Sequence, residues 1–557
     1  MGKRVLPALA ALLALAGHPR AETPRLFAPG PPPAARVEAA DFLQGAPEMK
    51  LAAATLQGLL NRGPEAHAWL LLMPTDQFWL DRILERGSVK SVEKVTADAF
   101  FAAHQGDFDG VVVYDPALPA TINAAAMLAS LNNSIAAAPG LAEKIAPGKP
   151  VEDLRGRWGS DGEVYEWAFE TLWPRLDHTA LACLYPDARM SGLRDFLTAR
   201  RVFTFWVPNP GGKGADPRCR ALMERVLAAS PPNIPVLGFW YSGPDPGINE
   251  YDGVGIAGEY GKITVVSDWA SNLSLLSGVP VDFAPLAKAH RERSSAPPPP
   301  LDPDRIYIGF NVVESGDAPS YLETRQTEVW TDPARGTVPI GWGFGLGAAE
   351  LMPPVAAYYL ETATANDRLF AAISGAGYVH PYRRFMSRTA EPGAGWRGYV
   401  SLTATLMERL GFSELGVYTD AWKAYDRAVM DPVSRRFTEG IPGLRLLMPG
   451  MGRDDGVTAD NGTYTLSGKG PVISHVLTRW PLDYASLDRE ARIDKLAGEI
   501  REQTPKTRPA FMQAMALSWA YGPSEIVETL HRLGPEYTAV SLPQFEALWR
   551  AHGGKQP

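Results

Sequence analysis

At 557 residues the chain exceeds the roughly 250–300 residues at which one hydrophobic core stops growing, so two domains are expected. A formal net charge of −8 gives no basic footprint for a phosphate backbone, which argues against nucleic acid as a partner. Two cysteines without CxxC spacing argue against a structural zinc site, and no cofactor or catalytic metal is indicated.

Lys3 and Arg4 precede an apolar run from Val5 to Ala16, and Ala14-Leu15-Ala16 offers the small-x-small pattern of a signal-peptidase site; a second possible cut follows Ala21. Residues 1–21 therefore read as a cleavable secretory signal, too short to stay as a span of about 20 apolar residues. The expected location is secreted or periplasmic, with no membrane anchor. Residues 22–40, with Pro31–Pro33, read as an extended leader without assigned structure. Export would permit a disulfide between Cys183 and Cys219, which their separation alone does not establish.

Residues 41–290 alternate short apolar runs with helical spacing. Leu70–Met73, Gly110–Asp115, Ala180–Tyr185, Val202–Val207 and Val236–Trp240 predict buried strands, and Met49–Asn61 predicts a helix. An N-terminal α/β layered domain follows. Pro297–Pro300 interrupt the chain within a linker at 291–304, because consecutive prolines fit neither a helix nor a central strand.

In residues 305–552 the alternation recurs about eight times, at Ile306–Val312, Val338–Trp342, Phe370–Ser374, Leu415–Thr419, Leu444–Met448, Val472–His475, Ala510–Leu517 and Tyr537–Ser541. Helical spacing separates several of these runs, as in Ala421–Met430, Ile493–Glu502 and Ser524–Leu533. About 240 residues with this rhythm predict a C-terminal (β/α) barrel-like domain, of eight strands or of seven. An open doubly wound sheet is the alternative that periodicity leaves standing. In either architecture chemistry gathers at the carboxyl ends of the strands.

After the third of these strands runs Ser374-Gly375-Ala376-Gly377-Tyr378-Val379-His380-Pro381. It resembles the signature of the GxGYxYP family, with Gly375, Gly377, Tyr378 and Pro381 matching and His380 standing where the signature has Tyr. The first barrel strand with its acidic loop, Leu351–Leu360 before Ala363-Thr364-Ala365-Asn366-Asp367, the stretch after Pro509, and Ser267-Asp268-Trp269-Ala270-Ser271-Asn272-Leu273-Ser274 are similar to that family as well. The resemblance implies a two-domain exported protein concerned with glycan breakdown. From the residues themselves, two glycines let the backbone bend and approach a ligand closely, and Pro381 fixes the exit of the loop.

Glycoside cleavage commonly uses two carboxyl groups, one protonated to assist the leaving oxygen and one ionised. The strand-end rule selects Glu314 and Asp317 as the leading pair, with Asp420, Asp454 and Asp455 as candidates to face them across the mouth. Asp420 before Ala421-Trp422-Lys423 also fits a helix cap. Trp342 and Trp519 are candidate sugar platforms, Tyr378, His380 and His475 candidate substrate contacts, and Asp268 with Asn272 candidates to roof the cleft from the N-terminal domain. The chain has no HExxH, no GxSxG elbow and no Walker loop. A glycoside hydrolase is the leading expectation, a non-catalytic glycan-binding protein the alternative. A metal-dependent polysaccharide deacetylase ranks third, because no two of the nine histidines are three or four residues apart.

Overall fold

The computed structural model describes residues 24–209, 216–240, 247–293, 297–314, 316–419, 426–452, 462–478 and 486–554; the expected signal segment and Asp420, Asp454 and Asp455 lie outside them. In chain order the strands are β1 (Pro33–Asp41), β2 (Ala66–Leu71), β3 (Ser91–Thr96), β4 (Gly110–Val113), β5 (Ser134–Ala137), β6 (Val151–Asp153), β7 (Asp177–Cys183), β8 (Val202–Phe205), β9 (Pro235–Gly238) and β10 (Ile263–Val266). They continue with β11 (Ile306–Val313), β12 (Ile340–Phe344), β13 (Asp367–Ala371), β14 (Glu414–Tyr418), β15 (Leu446–Met451), β16 (Thr463–Thr465), β17 (Val472–Ser474), β18 (Ala510–Leu517) and β19 (Tyr537–Ala539).

The N-terminal part, expected as one layered domain, holds three separate parallel sheets, ordered β2-β1-β3, β5-β4-β6 and β10-β9-β7-β8. Strands such as β4, β5, β8 and β10 are buried along their whole length, which is why they read as continuous apolar runs. The segment read as a structureless leader needs correction, because β1 starts at Pro33 and forms the centre of the first sheet. Its proline stands at the first residue, where a missing N–H does least harm to the ladder. Cys183 and Cys219 are both buried and unbonded.

In the C-terminal part the parallel order is β17-β15-β14-β13-β12-β11-β18, with β16 hairpinned onto β17 and β19 paired to the first half of β11. Just past β17, Val476 bridges Gln513 of β18, and Leu477 N–H donates to the Gln513 carbonyl at 2.9 Å. That contact brings the ends of the sheet together, so the architecture is the expected barrel, nearly closed on seven strands, and not an open sheet.

Alternation along β11 assigns its two faces. Ile306, Ile308, Phe310 and Val312 join the core shared with the covering helices, together with Trp330, Tyr359 and Leu360. Tyr307 and Val313 join the other core, with Phe370, Met448 and Phe511 of neighbouring strands. Between them the buried Asn311 side chain donates to Gln513 Oε1 at 2.9 Å inside the barrel. The first core runs unbroken from β1 and β2 through the third sheet into the barrel, which packs the N-terminal part against it.

Candidate functional site

The carboxyl ends of β11, β13, β14 and β18 converge with the end of β10. Ser374–Pro381 follow β13, and Tyr378 exchanges two backbone hydrogen bonds with Thr264 of β10, Tyr378 N–H to the Thr264 carbonyl at 2.9 Å and the reverse at 3.2 Å. A Cβ on Gly377 would stand 2.5 Å from Ile263 Cγ2 and 2.8 Å from the Thr264 carbonyl, so only glycine lets the loop lie this close to the strand. Tyr399 OH donates to the Ser374 carbonyl at 2.6 Å, and Ser374 Oγ accepts from Tyr418 N–H at 3.1 Å, tying the loop to the barrel.

The Tyr378 ring is buried between two acidic segments. Its hydroxyl donates to Glu250 Oε1 at 2.9 Å, from the first turn of helix Glu250–Glu259. The ring also lies against Gly316, at φ +112°, where a Cβ would meet it at 2.5–2.9 Å. Gly316 lies in the loop between Glu314 and Asp317, and Pro319 of the same loop bridges Val266 of β10.

Four carboxyl groups gather here, and each is pushed towards its protonated form. Burial raises Glu314 to about 7 against the pull of nearby backbone amides. Among the described residues neither of its oxygens meets a hydrogen-bond partner of proper geometry. Asp317 is half-buried as a residue, yet desolvation of its carboxyl, reinforced by Glu250 and Glu314, holds it well above the usual range. Trp519 Nε1 donates to Asp317 Oδ2 at 2.9 Å and opposes that shift. Glu250 is raised by desolvation and drawn back by the Tyr378 hydroxyl. Asp268, just past β10, is raised by burial to about 7 and accepts from Ser320 Oγ at 3.3 Å.

Rings complete the wall. His380 stacks on Tyr418 at 4.6 Å and lies 4.6 Å from Tyr251, and the Arg383 guanidinium sits over Tyr251 at 4.7 Å. Trp519 is 38% exposed and packs edge-on against Tyr321, so part of its ring remains open beside Asp317.

Thus Glu314, Asp317, Trp519, Tyr378, His380 and Asp268 share one region. Three residues do not enter that account. Trp342 requires correction as a sugar platform. It alternates with Gly341 and Gly343, which face barrel side chains, and so points to the outer layer, where it is buried on Trp330 and donates to Asp367 Oδ1 at 2.9 Å. Asn272 also requires correction. It is fully buried, and its amide is committed to Leu70, Gln57 and Asp76. His475 stacks on Tyr464 past β17, where burial and the Arg427 charge lower its imidazole to about 3.

Sequence reasoning missed Glu250, Tyr251 and Tyr418. Asn249 caps the helix through Tyr251 N–H, so Asn249-Glu250 carried the signal of a helix start and nothing that pointed to a barrel.

A seven-stranded (β/α) barrel with an acidic, aromatic-lined mouth defines a class of α/β proteins whose chemistry sits at strand ends. Three domain descriptions match the chain: the GxGYxYP putative glycoside hydrolase C-terminal domain over residues 304–550, the GxGYxYP third domain over 178–278 and the GxGYxYP_N second domain over 108–176. The chain belongs to the GxGYxYP family. The crystal structure of a putative hydrolase from Bacteroides thetaiotaomicron VPI-5482 superposes with a TM-score of 0.77 at 17% identity, covering 95% of this chain and 97% of that one, which shows a shared fold. A putative polysaccharide deacetylase from Mycobacterium smegmatis reaches a TM-score of 0.28 at 9% identity, over 46% of this chain and 95% of that one. No curated protein matches the chain.

Proposed function

We propose that the chain is a glycoside hydrolase that cleaves a glycan at the barrel mouth, with Asp317 donating the proton to the departing oxygen. The observation that carries this reading is the Asp317–Trp519 pair, a carboxyl pushed towards its acid form beside a partly open indole face. A general acid needs a raised pKa, and sugar rings stack on such faces. The family's description as putative glycoside hydrolases supports the same chemistry. Glu314, almost without exposure, acts from behind: its charge, when present, keeps the proton on Asp317. The basic N-terminus followed by an apolar run supports a substrate outside the cytoplasm.

The test is release of reducing ends from a broad panel of polysaccharides and oligosaccharides by wild type and by Asp317→Asn. We expect release from at least one member and a loss of about 10³-fold in the variant. Glycan binding without release by wild type would make the chain a binding protein instead.

A further inference from the structure

We propose that Glu250, supplied by the N-terminal part, is the second catalytic carboxyl of this site, acting across the mouth from Asp317, and that Tyr378 is its positioning residue. The inference rests on the hydrolase reading and adds the ionised partner that hydrolysis requires.

The geometry has three independent parts. Tyr378 OH holds Glu250 Oε1 at 2.9 Å, which fixes the carboxylate in one orientation. The same ring lies against Gly316, between Glu314 and Asp317, so one side chain spaces the two acidic segments. The backbone pairing of Tyr378 with Thr264, and of Pro319 with Val266, locks both barrel loops onto β10. The buried Glu314 carboxyl, whose oxygens meet no hydrogen-bond partner of proper geometry among the described residues, marks the same place as a polar site built to do more than hold the fold together.

The two acids are arranged for opposite roles. Desolvation raises both carboxyls, but the Tyr378 hydroxyl draws Glu250 back towards its ionised form, whereas neighbouring carboxylates push Asp317 further towards its protonated form. In the cleavage step Asp317 gives its proton to the glycosidic oxygen, which takes the electron pair of the breaking bond and leaves as an alcohol. Glu250 takes a proton from water as the water oxygen bonds to the anomeric carbon. One water is consumed, and transfer of the gained proton from Glu250 to solvent and from solvent to Asp317 restores the pair.

Glu250→Gln is expected to lower kcat by about 10³-fold with little change in KM. Azide added to Glu250→Ala is expected to restore turnover and yield a glycosyl azide, a product that no merely structural defect gives. Tyr378→Phe is expected to lower kcat about tenfold and to move the acid limb of its pH profile upwards, because loss of the donor raises the pKa of Glu250. The ionisable groups around Glu250 are Asp317 and Glu314 after β11, Asp268 after β10, Tyr378 and His380 of the signature loop, Arg383 just beyond it, Tyr418 of β14, and Tyr251 and Asp252 of its own helix. Glu259→Gln, at the far end of the same helix, serves as the unchanged control. Activity of Glu250→Gln within threefold of wild type, with Asp317→Asn inactive, would overturn the role of Glu250 and leave the hydrolase reading intact. Silence of wild type across the panel would sink both. Should Glu250→Gln fail to fold by circular dichroism, an unchanged pH profile in Tyr378→Phe would count against the proposal.

Discussion

Glu314 shows how one buried carboxyl couples stability to chemistry. Its pKa is about 7 when folded, against an ordinary value of 4.5, so the native state keeps a proton that the unfolded chain releases in that interval. Stability from this group is therefore greatest below the lower value and falls as pH rises towards 7, by about 3 kcal/mol for the full shift. Glutamine mimics the protonated form. We expect Glu314→Gln to melt with wild type at pH 4 and several degrees above it at pH 8, as measured by calorimetry; parallel curves at both pH values would contradict this. Loss of the Glu314 charge also lowers the pKa of Asp317, so the alkaline limb of kcat should move to lower pH in that variant. Glu314 and Asp317 were legible because they follow the largely apolar run Ile306–Val312, where strand-end chemistry belongs. Glu250 was not, since its relation to Asp317 is made by tertiary pairing of β10 with the signature loop, which leaves no trace in local spacing.

Among elements, β12 and the segment after β18 each present a tryptophan, and only the second faces the mouth. The distinction lies in the pleat: Trp342 stands within a strand, on the face opposite Gly341 and Gly343, while Trp519 follows the strand end. We expect Trp519→Ala to raise KM about tenfold, in line with the roughly 0.5–1.5 kcal/mol of an aromatic contact. Trp342→Ala should instead cost about 3–5 kcal/mol of stability, and Trp342→Phe should leave KM unchanged. Steady-state kinetics beside thermal melts separate the two cases; a KM effect at Trp342 would return it to the site. The signature loop offers a sharper test. Gly377→Ala forces a Cβ onto Ile263 and the Thr264 carbonyl, parting the loop from β10. It should lower both stability and kcat, and full activity would show that this contact does not organise the site.

For the whole molecule, the barrel was readable from eight spaced apolar runs, seven of which became its staves and the last a short strand beside β11. The N-terminal part was read too coarsely. Its strands are often only three or four residues long, so their division into three sheets depends on packing between distant segments. β1 was hidden by the prolines that run into its first residue and by charged residues such as Arg36 and Glu38, which break the apolar run expected of a central strand. Because one core extends from the first sheet through the barrel, we expect a single cooperative heat-absorption peak, and two resolved transitions would show that the parts unfold independently.

In the proposed reaction water, assisted by the carboxyls at this mouth, cleaves glycosidic bonds. Its most direct measurement is digestion of the glycan panel in oxygen-18 water, with mass spectrometry of the products from wild type and Asp317→Asn. Hydrolysis gives one labelled oxygen at each new reducing end with wild type and almost none with the variant. Product without label, or no product from any glycan, would contradict it.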